Sequence, residues 1–153
     1  MKAEIITHKQ LVKRAGIWLR NNQVCTVVLT ELTTSNSEIP DVLGFFSNGG
    51  GSILIECKAT RADFLADKKK IFRQHPEMGM GLQRYLATPK ALVKEEELPN
   101  RWGLLWLTEH RVTVVKEASG SEEYNKRAEI TMLVSVLRRL EISTAVFVRQ
   151  KIN

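Results

Sequence analysis

Apolar positions follow a helical stripe at the start of the chain and extended runs further on. Leu11, Val12, Ala15, Trp18 and Leu19 recur at i, i+1, i+4, i+7 and i+8, which predicts a helix over 8–19 with one buried face, ended by Asn21-Asn22. Residues 24–32 are β-branched and apolar, the composition of a strand, with Glu31 near its exit. A polar turn over 33–38 leads to two apolar runs flanking Ser47-Asn48-Gly49-Gly50-Gly51-Ser52. Such a pair predicts a β-hairpin over 41–58. Further on, Thr60-Arg61-Ala62-Asp63 has the form of a capping box opening a second helix, with Phe64, Leu65, Ile71 and Phe72 facing inward and His75-Pro76 as the stop.

Residues 83–88 read as a short strand closed by Pro89, and 103–108 with 111–116 as a second hairpin around Glu109-His110. A long helix is expected over 121–140, with Ile130, Leu133, Val134, Leu137 and Leu140 on one side. Residues 146–148 either extend it or form a last strand. The order αβββαβββα predicts an α/β fold, a mixed sheet flanked by helices in one domain over 1–153, with 121–153 as a C-terminal helical extension.

The hairpin carries charge where its apolar surroundings give no solvation reason for it. Asp41, Glu56 and Lys58 sit at its open end, and each ion against a packed sheet costs free energy unless it is paired or binds a metal. With a turn symmetric about Gly49-Gly50, Phe46 faces Ile53 and Asp41 faces Lys58. Asp41, Leu43 and Phe45 then share a face with Leu54, Glu56 and Lys58, while Val42, Phe46, Ile53, Ile55 and Cys57 take the other. Asp41 falls diagonal to Glu56, within reach of one bridging cation, which points to a divalent-metal hydrolytic site. The rival reading makes Asp41 a turn residue and Glu56 with Lys58 a surface pair.

Composition narrows the classes. A chain of 153 residues supports one domain with a substantial core, and 43% hydrophobic with 26% charged residues reads as globular and soluble. No apolar stretch approaches a membrane span, and Met1 to Thr7 is too polar for a signal peptide, so the expectation is a cytoplasmic protein without membrane contact. Cys25 and Cys57 read as two buried thiols in a reducing cytosol, a disulfide being the alternative, and three scattered histidines with no CxxC argue against structural zinc. A net charge of +6 and a pI near 9.5 favour a polyanionic partner. An acidic centre in a basic chain suits a phosphodiester held across metal ions.

Pro40-Asp41 followed by Glu56-Cys57-Lys58 at the end of the next strand resembles the PD-(D/E)XK nuclease superfamily. Within it, the stretch from Asp41 through Glu56-Cys57-Lys58-Ala59-Thr60-Arg61-Ala62-Asp63-Phe64-Leu65-Ala66-Asp67-Lys68-Lys69 is similar to the MmcB-type DNA-repair proteins. Arg84-Tyr85-Leu86-Ala87 and Trp102-Gly103-Leu104-Leu105 sit where that resemblance would put strands. Glu-x-Lys alone is a weak pattern; Pro-Asp ahead of it across a glycine turn, with a capped basic helix behind, is a stronger one.

The resemblance implies a restriction-endonuclease-like core and a Mg²⁺- or Mn²⁺-dependent nuclease acting on DNA in repair, recombination or phage nucleic-acid processing. Asp41 and Glu56 would hold the metal with the Cys57 carbonyl as a third ligand, and Lys58 would steady or acidify the attacking water. Glu31 would be an additional metal- or water-binding carboxylate, with Glu38 as its competitor and an exposed strand-end glutamate as the bland alternative. Arg61, Lys68, Lys69, Lys70 and Arg73 are candidates for DNA phosphates, though a charge run on a helix is usually a solvated face, and Asp63 and Asp67 partly neutralise this one. Trp18 reads as core; Trp102 and Trp106 read as core or as stacking platforms; Met78 and Met80 as a lip over the site or loop filling. A nuclease-like DNA-binding module without catalysis, a restriction-type endonuclease, and a homodimer paired through the C-terminal helix are the alternatives to weigh.

Overall fold

The computed structural model describes residues 5–23, 25–30, 39–121 and 123–140. Ten elements follow in chain order: α1 (His8–Asn22), β1 (Cys25–Thr30), β2 (Val42–Phe46), β3 (Ser52–Cys57), α2 (Arg61–Asp67), α3 (Ile71–Gln74), β4 (Gln83–Pro89), β5 (Gly103–Leu107), β6 (Val112–Lys116) and α4 (Lys126–Arg139). The strands form one six-stranded sheet in the order β1-β2-β3-β4-β5-β6. β3 pairs antiparallel with β2 but parallel with β4, and β4 is parallel to β5. The result is a single-domain mixed α/β fold whose sheet is flanked by helices. No described helix is long and apolar enough to cross a membrane.

Each face of the sheet has its own core. α1 covers one face: Leu11, Val12, Ala15, Trp18 and Leu19 pack with Cys25, Val42, Ile53, Ile55, Cys57 and Tyr85. Thr7 caps this helix reciprocally, its hydroxyl accepting the Gln10 N–H while the Gln10 side chain accepts the Thr7 N–H. α1 crosses the sheet so closely at Gly44 that a Cβ there would stand 2.9 Å from both Cys25 Sγ and Leu19 Cδ1. The opposite face gathers Leu43, Leu54, Phe64, Met80, Leu86, Trp102, Leu104 and Met132 beneath α2 and α4. All six residues of β3 are buried, because the strand is central in the sheet and covered on both faces.

The hairpin pairs two residues out of the expected register. Leu43 lies opposite Leu54 and Val42 opposite Ile55, which carries Asp41 to the level of Glu56 rather than Lys58. The turn centres on Asn48-Gly49: Gly49 takes φ +70, its N–H donates to Phe46 O, and Asn48 Oδ1 accepts the Gly50 N–H. A slip of two preserves the assignment of faces, so Asp41, Leu43, Leu54 and Glu56 still share one side.

Three further expectations change. The second helix breaks after Asp67 into α2 and the four-residue α3, and Leu65 is exposed. Met80 is fully buried in the second core and forms no lip, whereas Met78 is exposed. On α4, Glu129 and Met132 face inward, while Ile130, Val134, Leu137 and Leu140 are exposed. Residues 146–148, Glu31 and Glu38 lie outside the described residues.

Two buried polar side chains tie the loops down. Arg84 donates to the carbonyls of Pro76, Gly79, Met80 and Gly81. Glu129 Oε1 accepts the Ser52 hydroxyl and the Gly81 N–H at 2.8 Å, joining α4 to the start of β3 and to the loop before β4. Burial, the largest influence, pushes the Glu129 carboxyl above its ordinary value despite these donors. A raised acid binds more protons folded than unfolded, so its contribution to stability falls as pH climbs from the ordinary carboxylate pKa toward the raised one. Glu129→Gln keeps an acceptor without the charge. Its melting temperature relative to the natural chain is therefore expected to shift in the variant's favour between pH 4 and pH 8 in thermal denaturation, and a gap independent of pH would contradict this account.

Candidate active site

Glu56 faces the second core because it alternates with Leu54 and Ser52 along β3, and it is 3% exposed. A carboxylate there, behind a fully buried leucine, cannot be a surface pair. Asp41 approaches from the start of β2: its Oδ2 accepts the Cys57 N–H at 2.8 Å, and its Oδ1 stands 3.2 Å from Nε2 of the half-exposed His8 at the head of α1. Lys58, just beyond β3 and 12% exposed, places Nζ 3.3 Å from Glu56 Oε2 and 3.2 Å from Asp67 Oδ1. Glu56 and Lys58 are thus in direct contact, while Asp41 is held on the Cys57 amide that lies between them in sequence. Cys57 turns its side chain into the α1 core, leaving its backbone at the site.

The second helical layer closes the cluster. Asp67 lies on α2 one turn beyond buried Phe64 and is 6% exposed. Arg73, on α3, donates to it through Nε at 2.7 Å and Nη2 at 3.2 Å, lies 3.7 Å from Glu56 Oε1, and sits 4.3 Å from the ring centre of Trp102. Its side chain is 5% exposed. Lys70, 46% exposed, stands 3.2 Å from Asp67 Oδ1 and 3.9 Å from Glu56 Oε2. A cleft of about 400 Å³ opens over the group, lined by His8, Cys57, Lys58, Asp63, Ala66, Asp67 and Lys70.

The charges are mutually dependent. Burial, reinforced by the Asp41 carboxylate, raises the Glu56 pKa against the pull of Lys58, Arg73 and Lys70. For Lys58, burial draws the pKa down, but Glu56, Asp67 and Asp41 reverse this and leave it above the ordinary value, so it is a cation. Burial likewise opposes ionisation of Asp67, and Arg73, Lys58 and Lys70 overcome it, holding that carboxyl below the usual range. Burial pushes the Cys57 thiol well up, which leaves it an inert core group.

The expected phosphate contacts divide. Lys68 lies over the Phe64 ring, at 4.9 Å, and with Lys69 and Lys70 lies on the open side of the turn after α2. Arg61 is engaged by Glu97 in a two-point ion pair, and Arg73 belongs to the buried cluster. Trp102 is core, lying under Arg73, and Trp18 is core on the buried face of α1. Asp67 and His8 were missed as site residues. For Asp67 the signal was present, an acid three residues after Phe64 on the inward side of its helix.

Asp41, just ahead of β2, and Glu56, on β3, offer carboxylate oxygens; burial first and the Asp41 charge second raise the Glu56 pKa, and a hard cation between the two acids would offset both. Asp41, Glu56 and the Cys57 carbonyl are the oxygen groups that could hold a hard cation such as Mg²⁺ or Mn²⁺. Among the described residues, no three His, Cys, Asp or Glu side chains form a metal-holding group by themselves. Removing Arg73 strips buried Asp67 of its strongest partner and Glu56 of a second cation, and breaking such pairs costs about 3–5 kcal/mol. Arg73→Met is expected to lower the unfolding free energy by that order in urea titration; a loss within error of zero would mean that the cluster is not held together as described.

Neither a protein-family model nor a curated protein matches the sequence. Among solved structures, the chain is similar to the SPO1766 protein of unknown function from Silicibacter pomeroyi, at 24% identity over 92% of each chain with a TM-score of 0.67. That likeness concerns the fold alone.

Proposed function

We propose that this protein is a Mg²⁺- or Mn²⁺-dependent nuclease that hydrolyses DNA phosphodiester bonds, of the PD-(D/E)XK kind, with a role in repair, recombination or phage nucleic-acid processing. The observation that carries this reading is Glu56: a carboxylate 3% exposed, near the end of a central strand, level with Asp41 and in contact with Lys58, which lines an open cleft. Asp41 and Glu56 hold the ion, and the cation supplies polarisation of the phosphoryl group and stabilisation of the leaving oxygen. Lys58, an ammonium among acidic neighbours, offers positive charge to a phosphate oxygen or to the attacking water. Lys68, Lys69 and the mobile-stemmed Lys70 supply sequence-independent phosphate contacts, in keeping with a net charge of +6. Two buried, unpaired cysteines support a reducing, cytoplasmic setting. The exposed apolar side of α4 is the surface through which a homodimer would bring two such sites together.

One observation favours a second reading, a nuclease-like DNA-binding module without turnover. Both oxygens of Glu56 already face cations: Lys58 and Lys70 at Oε2, Arg73 at Oε1. Such pairing compensates the buried acid without a metal. Calorimetry with Mn²⁺ separates the two, since only the nuclease needs an ion at Asp41 and Glu56.

With linear, nicked, branched and single-stranded DNA and Mn²⁺, the natural chain is expected to cleave at least one substrate, while Glu56→Ala and Lys58→Ala lose activity and keep their circular dichroism. Cleavage unchanged in both folded variants would remove the site assignment. Salt dependence tests the basic rim separately. If Lys68 and Lys69 each neutralise one phosphate, replacing both with alanine lowers the slope of log affinity against log salt by about 1.8 on duplex DNA, at roughly 0.9 per contact. An unaltered slope would exclude them from the interface.

A further inference from the structure

We propose that Asp67 is a positioning residue for Lys58, holding its ammonium at the end of β3 while Glu56 turns to a divalent cation. The catalytic consequence rests on the nuclease reading; the anchoring itself stands on the geometry.

Lys58 Nζ sits between two carboxylates, 3.3 Å from Glu56 Oε2 and 3.2 Å from Asp67 Oδ1. These anchors differ in what else they serve. Glu56 shares its side of the hairpin with Asp41 and is the acid a metal would draw on. A cation bound there competes with Lys58 for the same oxygen and repels the ammonium directly. A lysine on a flexible four-carbon stem, with one anchor lost, swings toward solvent. Asp67 is the anchor that a metal at Asp41 and Glu56 does not use.

Asp67 is itself immobilised from the core side by Arg73, whose Nη2 also stands 3.7 Å from Glu56 Oε1. The Arg73 fork grips both of its oxygens, at 2.7 and 3.2 Å, a two-point pairing that fixes orientation as well as charge. Arg73 in turn lies on the Trp102 face at 4.3 Å within the second core. The series Trp102, Arg73, Asp67, Lys58 thus runs from packed core to reactive end. Lys70 shares Asp67 Oδ1 at 3.2 Å but is 46% exposed, so it is the ammonium free to leave for a phosphate while Lys58 stays.

The test begins without metal or DNA. In ¹⁵N-lysine NMR, a shielded, ion-paired ammonium exchanges slowly enough to give a side-chain signal. A Lys58 Nζ resonance, assigned by its loss in Lys58→Ala, is expected in the natural chain and in Lys70→Met, and is expected to vanish in Asp67→Asn. With Mn²⁺ and DNA, Asp67→Asn is expected to lower kcat by about 10–100-fold, the range typical of groups that orient a metal site from outside it, with KM for DNA unchanged. Asp67→Glu should restore most of the signal and turnover.

Should Asp67→Asn fail to fold, the double variant Arg73→Met with Asp67→Leu removes the pair as apolar groups, a replacement that buried ion pairs often tolerate. It too must lose the Lys58 signal. Persistence of that resonance in either folded variant overturns the anchoring, as does a kcat equal to that of the natural chain in an active preparation. Absence of cleavage by the natural chain under every metal sinks the nuclease reading alone, because the NMR result judges Asp67 independently.

Discussion

A buried carboxylate on the central strand sets the terms for everything around it. Glu56 stands where the period of β3 calls for an apolar residue, and desolvating a carboxylate there costs several kcal/mol before compensation. The surrounding layer is arranged to supply that compensation. α2 ends at Asp67, the chain breaks, and α3 begins again so that Arg73 can reach back over Trp102. One continuous helix through 61–74 would place residues 67 and 73 on different sides of its axis, six positions turning about 600°, some 120° short of two full turns. The helix break and the ion cluster are two views of one constraint.

That constraint explains why the fold was legible and the site only partly so. Apolar periodicity depends on burial alone, and it located α1, the hairpin, β4, β5, β6 and most of α4. The fully buried β3 still revealed Glu56, because an acid in the run Ser52-Ile53-Leu54-Ile55-Glu56-Cys57 has no apolar reason to be there. Asp67 was harder to read. It lies among Asp63, Lys68, Lys69 and Lys70, where local sequence describes an ordinary charged helix, and only the packing of Phe64 turns it inward.

The hairpin register shows a different kind of illegibility. Three consecutive glycines give no unique centre to a turn, and a symmetric loop was the simplest assumption. Asn48-Gly49 decides it, since Gly49 accepts a left-handed backbone and Asn48 braces the next peptide with its side chain. The two-residue slip brings Asp41 level with Glu56 and moves no side chain to the other face. α4 misled through hydrophobicity itself: its most apolar side is open, and its inward side contains a glutamate that bonds to Ser52 and Gly81. A buried acid with hydroxyl and amide partners is invisible to any scale that ranks residues by transfer into oil.

Arg84 grips main-chain oxygens of Pro76, Gly79, Met80 and Gly81, not the side chains that those residues carry. The path of that loop is thus insulated from the identity of outward positions such as Glu77 and Met78. Substitutions there can recolour the surface of this loop while its contour survives. A lineage could in this way retune what the molecule prefers to touch without re-engineering how it folds.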